Sequence, residues 1–171
     1  MTADAVPEAV VVVVSTRAAA GSRPDTVGPE LVATLAKAGW ETASDPIVVP
    51  DHGTSLANLL VELASGGHRL IVTTGGTGLT PTDRTPEATT RVADFTVPGL
   101  AELMRGSGIK STPLAALSRG VVAARQTTLI VNLPGSPAGA AESLDAVLPV
   151  LRHAVDQLGG GDHHRGSSPE D

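Results

Sequence analysis

The chain has 171 residues, which is long enough for one domain with a substantial apolar core. A net charge of −6 without a basic run argues against nucleic-acid binding, and one tryptophan with one phenylalanine offers no platform for stacked bases. The sequence contains no cysteine, which excludes disulfides and thiolate metal ligands.

The first residues do not have the pattern of a signal peptide. Asp4 and Glu8 stand where such a segment carries positive charge, and the apolar run from Ala9 to Val14 is too short. The run is also far below the length of a membrane span. We expect a cytoplasmic protein that does not bind a membrane.

Strand and helix patterns alternate in the N-terminal half. The β-branched run Glu8–Ser15 predicts a strand buried on both faces, and Asp25 can cap a helix with one apolar face. A second strand over Glu41–Val49, a second amphipathic helix and a third strand at Leu70–Thr74 follow. This order predicts two βαβ units and therefore a parallel sheet.

A glycine-rich loop follows the third strand. Its residues are Gly75, Gly76, Thr77 and Gly78, and such glycines let the backbone approach a ligand. Thr85 is the expected N-cap of the next helix, which leaves the nearby Asp83 without a local task. The arrangement favours a phosphate site, although a plain strand-to-helix connection without a ligand is the alternative.

The C-terminal half predicts a hairpin and a long helix. Val121–Ala124 and Thr128–Leu133 flank a three-residue turn, which adds an antiparallel strand to the sheet. Ser136 as cap then starts a final helix, and Pro149 is expected to kink or split it. We expect one domain over residues 1–158 and a disordered tail over residues 159–171.

Polar side chains follow several of the predicted strands. Ligands of an open parallel sheet lie outside the carboxyl ends of its strands, so Asp51, Asp83 and Ser136 are expected to face one crevice. Two carboxylates beside phosphates indicate Mg²⁺. The alternatives are a purely local turn role for Asp51, a cap role alone for Ser136, and either a phosphate clamp or a solvated charge at Arg119.

These motifs together resemble one family, the molybdopterin adenylyltransferases of molybdenum cofactor biosynthesis, of the bacterial MogA/MoaB type and related to a domain of gephyrin. The similarity extends over nearly the whole chain. Its blocks are Val49-Pro50-Asp51, Thr73 through Gly78, Asp83-Arg84-Thr85-Pro86-Glu87, Pro98-Gly99-Leu100, Ser118-Arg119 and Asn132 through Pro137.

The resemblance implies a three-layer α/β/α fold with a mostly parallel sheet, assembled as a homotrimer or a dimer of trimers. It implies Mg-ATP-dependent adenylylation of molybdopterin with release of pyrophosphate, and hand-over of the product to a molybdate-inserting partner. Asp51 and Asp83 would be the catalytic and Mg²⁺-binding acids. By motif, the residues that would bind nucleotide or molybdopterin are Ser15, Thr74, Gly75, Gly76, Thr77, Gly78, Arg119, Asn132, Pro134, Gly135 and Ser136.

One departure from the family pattern falls in this site. Many relatives have Ser-Asp-Arg after the first strand, whereas this chain has Ser15-Thr16-Arg17. The alternative function is accordingly a non-catalytic protein of the same fold that binds molybdopterin or a precursor, or acts as a scaffold.

Overall fold

A computed structural model describes residues 8–161 of the chain. The helices are α1 (Thr16–Ala19), α2 (Val27–Lys37), α3 (Gly53–Ser65), α4 (Thr85–Val92), α5 (Pro98–Gly108) and α6 (Pro137–Leu158), with a 3-10 helix at Pro113–Leu117. The strands are β1 (Glu8–Val14), β2 (Glu41–Thr42), β3 (Ile47–Val49), β4 (Leu70–Thr74), β5 (Phe95–Thr96), β6 (Val122–Arg125) and β7 (Thr128–Leu133).

All of these strands belong to one mixed sheet. Its order is β2–β1–β4–β7–β6–β5, and β3 also pairs with β1. Strands β2, β3 and β4 run parallel to β1, and β7 runs parallel to β4. Strand β6 returns antiparallel to β7, and β5 is antiparallel to β6. The predicted hairpin and the mostly parallel sheet are therefore confirmed.

Helices cover both faces of the sheet because alternate strand residues point to opposite sides. One core contains alternate residues of β1, such as Val11 and Val13, packed with α2, α5 and α6. The other contains Val10 and Val12 packed with α3 and α4. The two cores give three layers, α/β/α, as expected. In the part of the chain that the structure describes, no helix combines the length and apolarity needed to cross a bilayer.

Two local expectations are corrected. The predicted strand over Glu41–Val49 is two short strands, because the Asp45-Pro46 segment between them interrupts the pairing with β1. Of the two outcomes expected at Pro149, the split is wrong, since α6 continues through Pro149 to Leu158, and the kink stays a prediction. Between β1 and Asp25 the chain also forms the short helix α1. Beyond residue 161 the predicted tail lies outside the described residues.

The strand register brings the functional loops to one edge. Val14 of β1 lies beside Val49 of β3, and its neighbour Val13 lies beside Thr74 of β4. Thr74 in turn lies beside Leu133 of β7. Four parallel strands therefore end at nearly the same level, and the loops that follow them leave the sheet together.

Candidate functional site

The glycine loop after β4 packs directly against its neighbours. Gly75 has a φ of +99°, and a Cβ atom there would lie 2.3 Å from the carbonyl oxygen of Val14. A Cβ atom at Gly135, in the loop after β7, would lie 3.2 Å from the Cα of Gly75. The Gly75 N–H donates to the Leu133 carbonyl at 3.1 Å. Glycine at position 75 thus lets the loops after β1, β4 and β7 meet.

Thr85 bonds to this loop and, contrary to the expectation, does not cap the helix. Helix α4 begins at Thr85 itself and has no side-chain cap. The buried Thr85 hydroxyl donates to the Gly75 carbonyl at 2.8 Å, and its N–H donates to the Gly76 carbonyl at 3.1 Å. In the described residues, no protein acceptor takes the N–H groups of Gly76, Thr77 and Gly78. Such N–H groups are available to a phosphate.

Asp51 and Asp83 both lie at this loop. Asp51 Oδ1 is 3.5 Å from the position that a Cβ atom would take at Gly76, and Asp83 Oδ2 is 2.9 Å from the equivalent position at Gly78. Asp83 does have a local task, contrary to the expectation, because its Oδ2 accepts hydrogen bonds from the N–H and hydroxyl of Thr80. The two acids come from loops after different strands and line the same cavity.

Arg119 joins three parts of the glycine-loop region. Its Nε donates to the Gly78 carbonyl at 2.8 Å, and its Nη2 donates to the Asp83 carbonyl at 2.7 Å. Its Nη1 forms a hydrogen-bonded ion pair with Glu87. This hydrogen bond is the main cause of the lowered pKa of Glu87. Arg119 is therefore not a simple solvated charge, and three of its five N–H donors already have protein acceptors.

Several other predicted site residues also hold the loops together. Asn132 is buried, and its Nδ2 donates at 3.0 Å to the hydroxyls of Thr73 and Thr89. The Thr74 hydroxyl donates to the Pro134 carbonyl at 2.7 Å. Ser136 accepts from the Gly139 N–H at 3.2 Å and so caps α6. The predicted cap is confirmed, while binding by these residues stays a prediction.

Two adjacent cavities share part of their lining, which includes Asp83. The first has a volume of about 530 Å³, and the second has a volume of about 560 Å³. Both volumes lie in the usual range of small-molecule sites, about 300–1,000 Å³. Gly76, Asp83 and Gly135 line both cavities.

The two cavities differ in chemistry. The first has an apolar wall that includes Met104, Leu114 and Leu117. The second is lined by two arginines, Arg17 and Arg23, together with three acids, Asp25, Asp51 and Asp83. The combination fits a ligand that has a flat ring system against the apolar wall and phosphates near the junction of the cavities.

Sequence patterns predict some of the residues that line this crevice and miss others. Ser15, a predicted binding residue, lines the second cavity and caps α1 by accepting from the Ala18 N–H at 3.2 Å. The predicted site residues do not include Arg23 and Leu114, which line the cavities, or Thr80, which bonds to Asp83. The Thr-Pro-Thr-Asp segment was a usable signal for Thr80, because a threonine three residues before an aspartate can bond to it locally.

Known proteins share both the sequence and the fold. A family model described as a probable molybdopterin binding domain matches residues 10–153. A molybdopterin adenylyltransferase from Helicobacter pylori is 47% identical over 89 residues, covering 52% of this chain and 51% of the relative. The corresponding enzyme of Haemophilus influenzae is 41% identical over 140 residues, covering 78% of this chain and 69% of the relative.

A solved structure gives the same result. The molybdopterin biosynthesis enzyme MoaB from Thermus thermophilus superposes with a TM-score of 0.85 at 49% identity, covering 91% of this chain and 98% of that chain. The Helicobacter pylori relative, by contrast, is matched over about half of its length. Because the family model covers most of the sequence, this chain belongs to the probable molybdopterin-binding domain family.

Proposed function

We propose that this chain is a molybdopterin adenylyltransferase that uses Mg-ATP. An oxygen of the terminal phosphate of molybdopterin attacks the α-phosphorus of ATP. The bond from that phosphorus to the bridging oxygen breaks, and pyrophosphate leaves with the electron pair. The products are adenylylated molybdopterin and pyrophosphate. Relatives named molybdopterin adenylyltransferase, with 41% and 47% identity, support this assignment.

The observation that carries the proposal is the placement of two carboxylates beside the glycine loop, one of them at the junction of two cavities. Asp83 lines both cavities, and Asp51 lines the second beside the glycine loop. A transfer between two phosphorylated substrates needs both phosphates at one point, with their negative charge compensated. The junction at Gly76, Asp83 and Gly135 would be that point, and a Mg²⁺ ion held by the carboxylates would compensate the charge.

The acids present fit a magnesium ion. Across residues 8–161, the structure shows no group of three or more His, Asp or Glu residues that could hold a metal alone. Two carboxylates with substrate phosphates suit Mg²⁺, which commonly binds through one or two carboxylates and phosphate oxygens. Asp51 and Asp83 would hold the ion, whose chemistry is to neutralise phosphate charge.

The chain's own groups account for binding and orientation. We place the nucleotide in the second cavity, where Arg17 and Arg23 offer positive charge, and the pterin in the first cavity beside its apolar wall. The N–H groups of Gly76, Thr77 and Gly78 and the N-terminus of α6, which Ser136 caps, would bind phosphate oxygens. Holding both reactants in line supplies much of the rate acceleration.

The test is an adenylylation assay with purified protein, molybdopterin and labelled ATP. We expect labelled adenylyl-molybdopterin and equimolar pyrophosphate from the native protein with Mg²⁺. Asp83→Asn and Asp51→Asn should each lower the rate at least about 100-fold, as loss of a group that neutralises transition-state charge does.

Asp156→Asn is the matched control, because Asp156 is exposed in the last turn of α6, at the opposite end from Ser136. It should keep the native rate. Absence of product from the folded native protein with metal supplied would refute the proposal. Calorimetry with molybdopterin and with Mg-ATP would then identify the alternative, since a non-catalytic molybdopterin binder gives no heat with nucleotide.

The same proposal covers the domain bounds, the assembly, the location and the partner of the protein. Residues 1–158 would form one molybdopterin-binding domain, assembled as a homotrimer or a dimer of trimers in the cytoplasm. The product would pass to a molybdate-inserting partner. Light scattering after size-exclusion chromatography measures the assembly directly, and a mass of one subunit would contradict the trimer.

A further inference from the structure

A threonine holds each of the two candidate metal-binding carboxylates. Asp51 Oδ2 accepts hydrogen bonds from the N–H and the hydroxyl of Thr16, both at 3.0 Å. Asp83 Oδ2 accepts the equivalent pair from Thr80, the N–H at 3.0 Å and the hydroxyl at 2.7 Å. Every hydrogen bond that the described residues make to these carboxylates ends on Oδ2. The Oδ1 atom of each acid therefore keeps its acceptor capacity for a ligand.

The surrounding contacts fix which way the two hydroxyl protons point. Thr16 Oγ1 also accepts from the N–H of Asp51 at 3.1 Å, so its own proton is directed at Asp51 Oδ2. Thr80 Oγ1 lies 3.1 Å from Thr82 Oγ1. Because an ionised carboxylate only accepts, Thr80 donates to Asp83 and Thr82 donates to Thr80. Hydrogen bonds to an ionised acceptor are stronger than neutral ones.

The two pairs differ in their origin along the chain. Thr80 and Asp83 are three residues apart, whereas Thr16 and Asp51 are 35 residues apart and lie after different strands. The bonds from Thr16 to Asp51 therefore join the segment after β1 to the loop after β3.

We propose that Thr16 and Thr80 are positioning residues for binding of the metal-nucleotide complex. By holding Oδ2 of Asp51 and Asp83, they direct Oδ1 of each acid at a divalent cation that is bound together with nucleotide phosphates. The inference rests on the proposed function, because it takes these two acids to be the metal ligands. Loss of an outer-shell partner of this kind typically lowers metal affinity about 10- to 100-fold.

The test measures Mn²⁺ binding by electron paramagnetic resonance in the presence of a non-hydrolysable ATP analogue. Thr16→Val and Thr80→Val remove the hydroxyls while keeping a similar shape, and we expect each to weaken Mn²⁺ binding about 10-fold or more. Thr16→Ser and Thr80→Ser keep the hydroxyls and should bind nearly as the native protein does. Thr90→Val is the control, since Thr90 is exposed on α4 and should leave binding unchanged.

Two results would overturn the inference. One is native-like Mn²⁺ binding by both valine variants, and the other is serine variants that bind as weakly as the valine ones. If valine disturbs the loop, alanine replaces it at each position, because alanine lacks both the hydroxyl and the β-branch, and Mn²⁺ binding is measured in the same way. Adenylyl transfer by the native protein is measured separately. If the native protein transfers no adenylyl group but the variants bind Mn²⁺ as expected, the proposed function alone is refuted. If the native protein is active but all variants bind Mn²⁺ equally well, only this inference is refuted.

Discussion

Replacing Gly75 by alanine tests whether the close packing of the strand ends holds the site together. Gly75 combines a φ of +99° with a position where a Cβ atom would lie 2.3 Å from the Val14 carbonyl oxygen. That oxygen belongs to the backbone of the adjacent strand β1, so it can move away only if the strand shifts. Alanine should therefore incur both a backbone cost and a contact cost.

Gly67 separates these two costs. Its φ of +96° nearly equals that of Gly75, but nothing lies within 4 Å of the position that its Cβ would take. Gly67→Ala should cost only the left-handed backbone strain, about 1–2 kcal/mol. Gly75→Ala should add an overpacking cost of about 1–3 kcal/mol, for a total of about 2–5 kcal/mol.

Equilibrium urea unfolding measures both variants, with emission of the single tryptophan, the buried Trp40, as a probe. For a chain of this size about 1 kcal/mol corresponds to roughly 2–4 °C in Tm, so Gly75→Ala should melt about 4–20 °C below the native protein and Gly67→Ala about 2–8 °C below it. The decisive quantity is the difference between their unfolding free energies. Equal destabilisation, within about 0.5 kcal/mol, would show that the contact with β1 carries no cost and would refute the reasoning.

Three further predictions concern the side chains around the loop. In Arg119→Lys, the lysine cannot bond to all three acceptors, and the free energy of unfolding in urea should fall by about 1–3 kcal/mol. The control is Arg91→Lys, at an exposed position of α4, which should change it by less than about 0.5 kcal/mol. The Arg119 hydrogen bond lowers the pKa of Glu87 below its ordinary value of 4.5, so the native protein should be more stable than Glu87→Gln at pH 7. This difference in the free energy of unfolding should disappear as the pH falls below 4.5 and then through the lowered pKa of the folded state. Urea unfolding at successive pH values measures it, and a difference that grows on acidification would contradict the assignment. Asn132→Leu leaves buried polar partners unsatisfied and should cost about 1–3 kcal/mol by the same measurement, while a stability equal to that of the native protein would contradict the hydrogen bonds assigned to it.

The features that the sequence predicts well have local causes. Strands β1, β4 and β7 are nearly continuous apolar runs, which fit strands buried on both faces. The start of α6 follows from the Ser136-Pro137 pair, and the structure has it there. The convergence of Asp51 and Asp83 follows from a general property of parallel sheets, whose carboxyl ends meet at one edge.

The features that the sequence does not predict depend on contacts between distant segments. Arg119 is read from sequence as a clamp or a solvated charge, because nothing nearby shows that it bonds to the Gly78 carbonyl 41 positions away. Thr85 has the local pattern of an N-cap, yet its hydroxyl bonds to the Gly75 carbonyl ten positions earlier. In both cases the acceptor is distant along the chain, so local sequence patterns do not indicate the hydrogen bond.

The hydrogen bonds of the site separate groups that hold the loops from groups that remain available to a substrate. The side chains of Arg119, Asn132 and Thr85 bond to protein acceptors, so their substitution should act first on stability. The N–H groups of Gly76, Thr77 and Gly78 and the Oδ1 atoms of Asp51 and Asp83 have no protein partner among the described residues. Phosphates and a divalent cation are the ligands that such groups bind. Asparagine at either acid should therefore lower transfer at least about 100-fold while leaving the fold nearly as stable as before, because an amide oxygen can still accept from the threonine while the charge needed to bind the cation is lost.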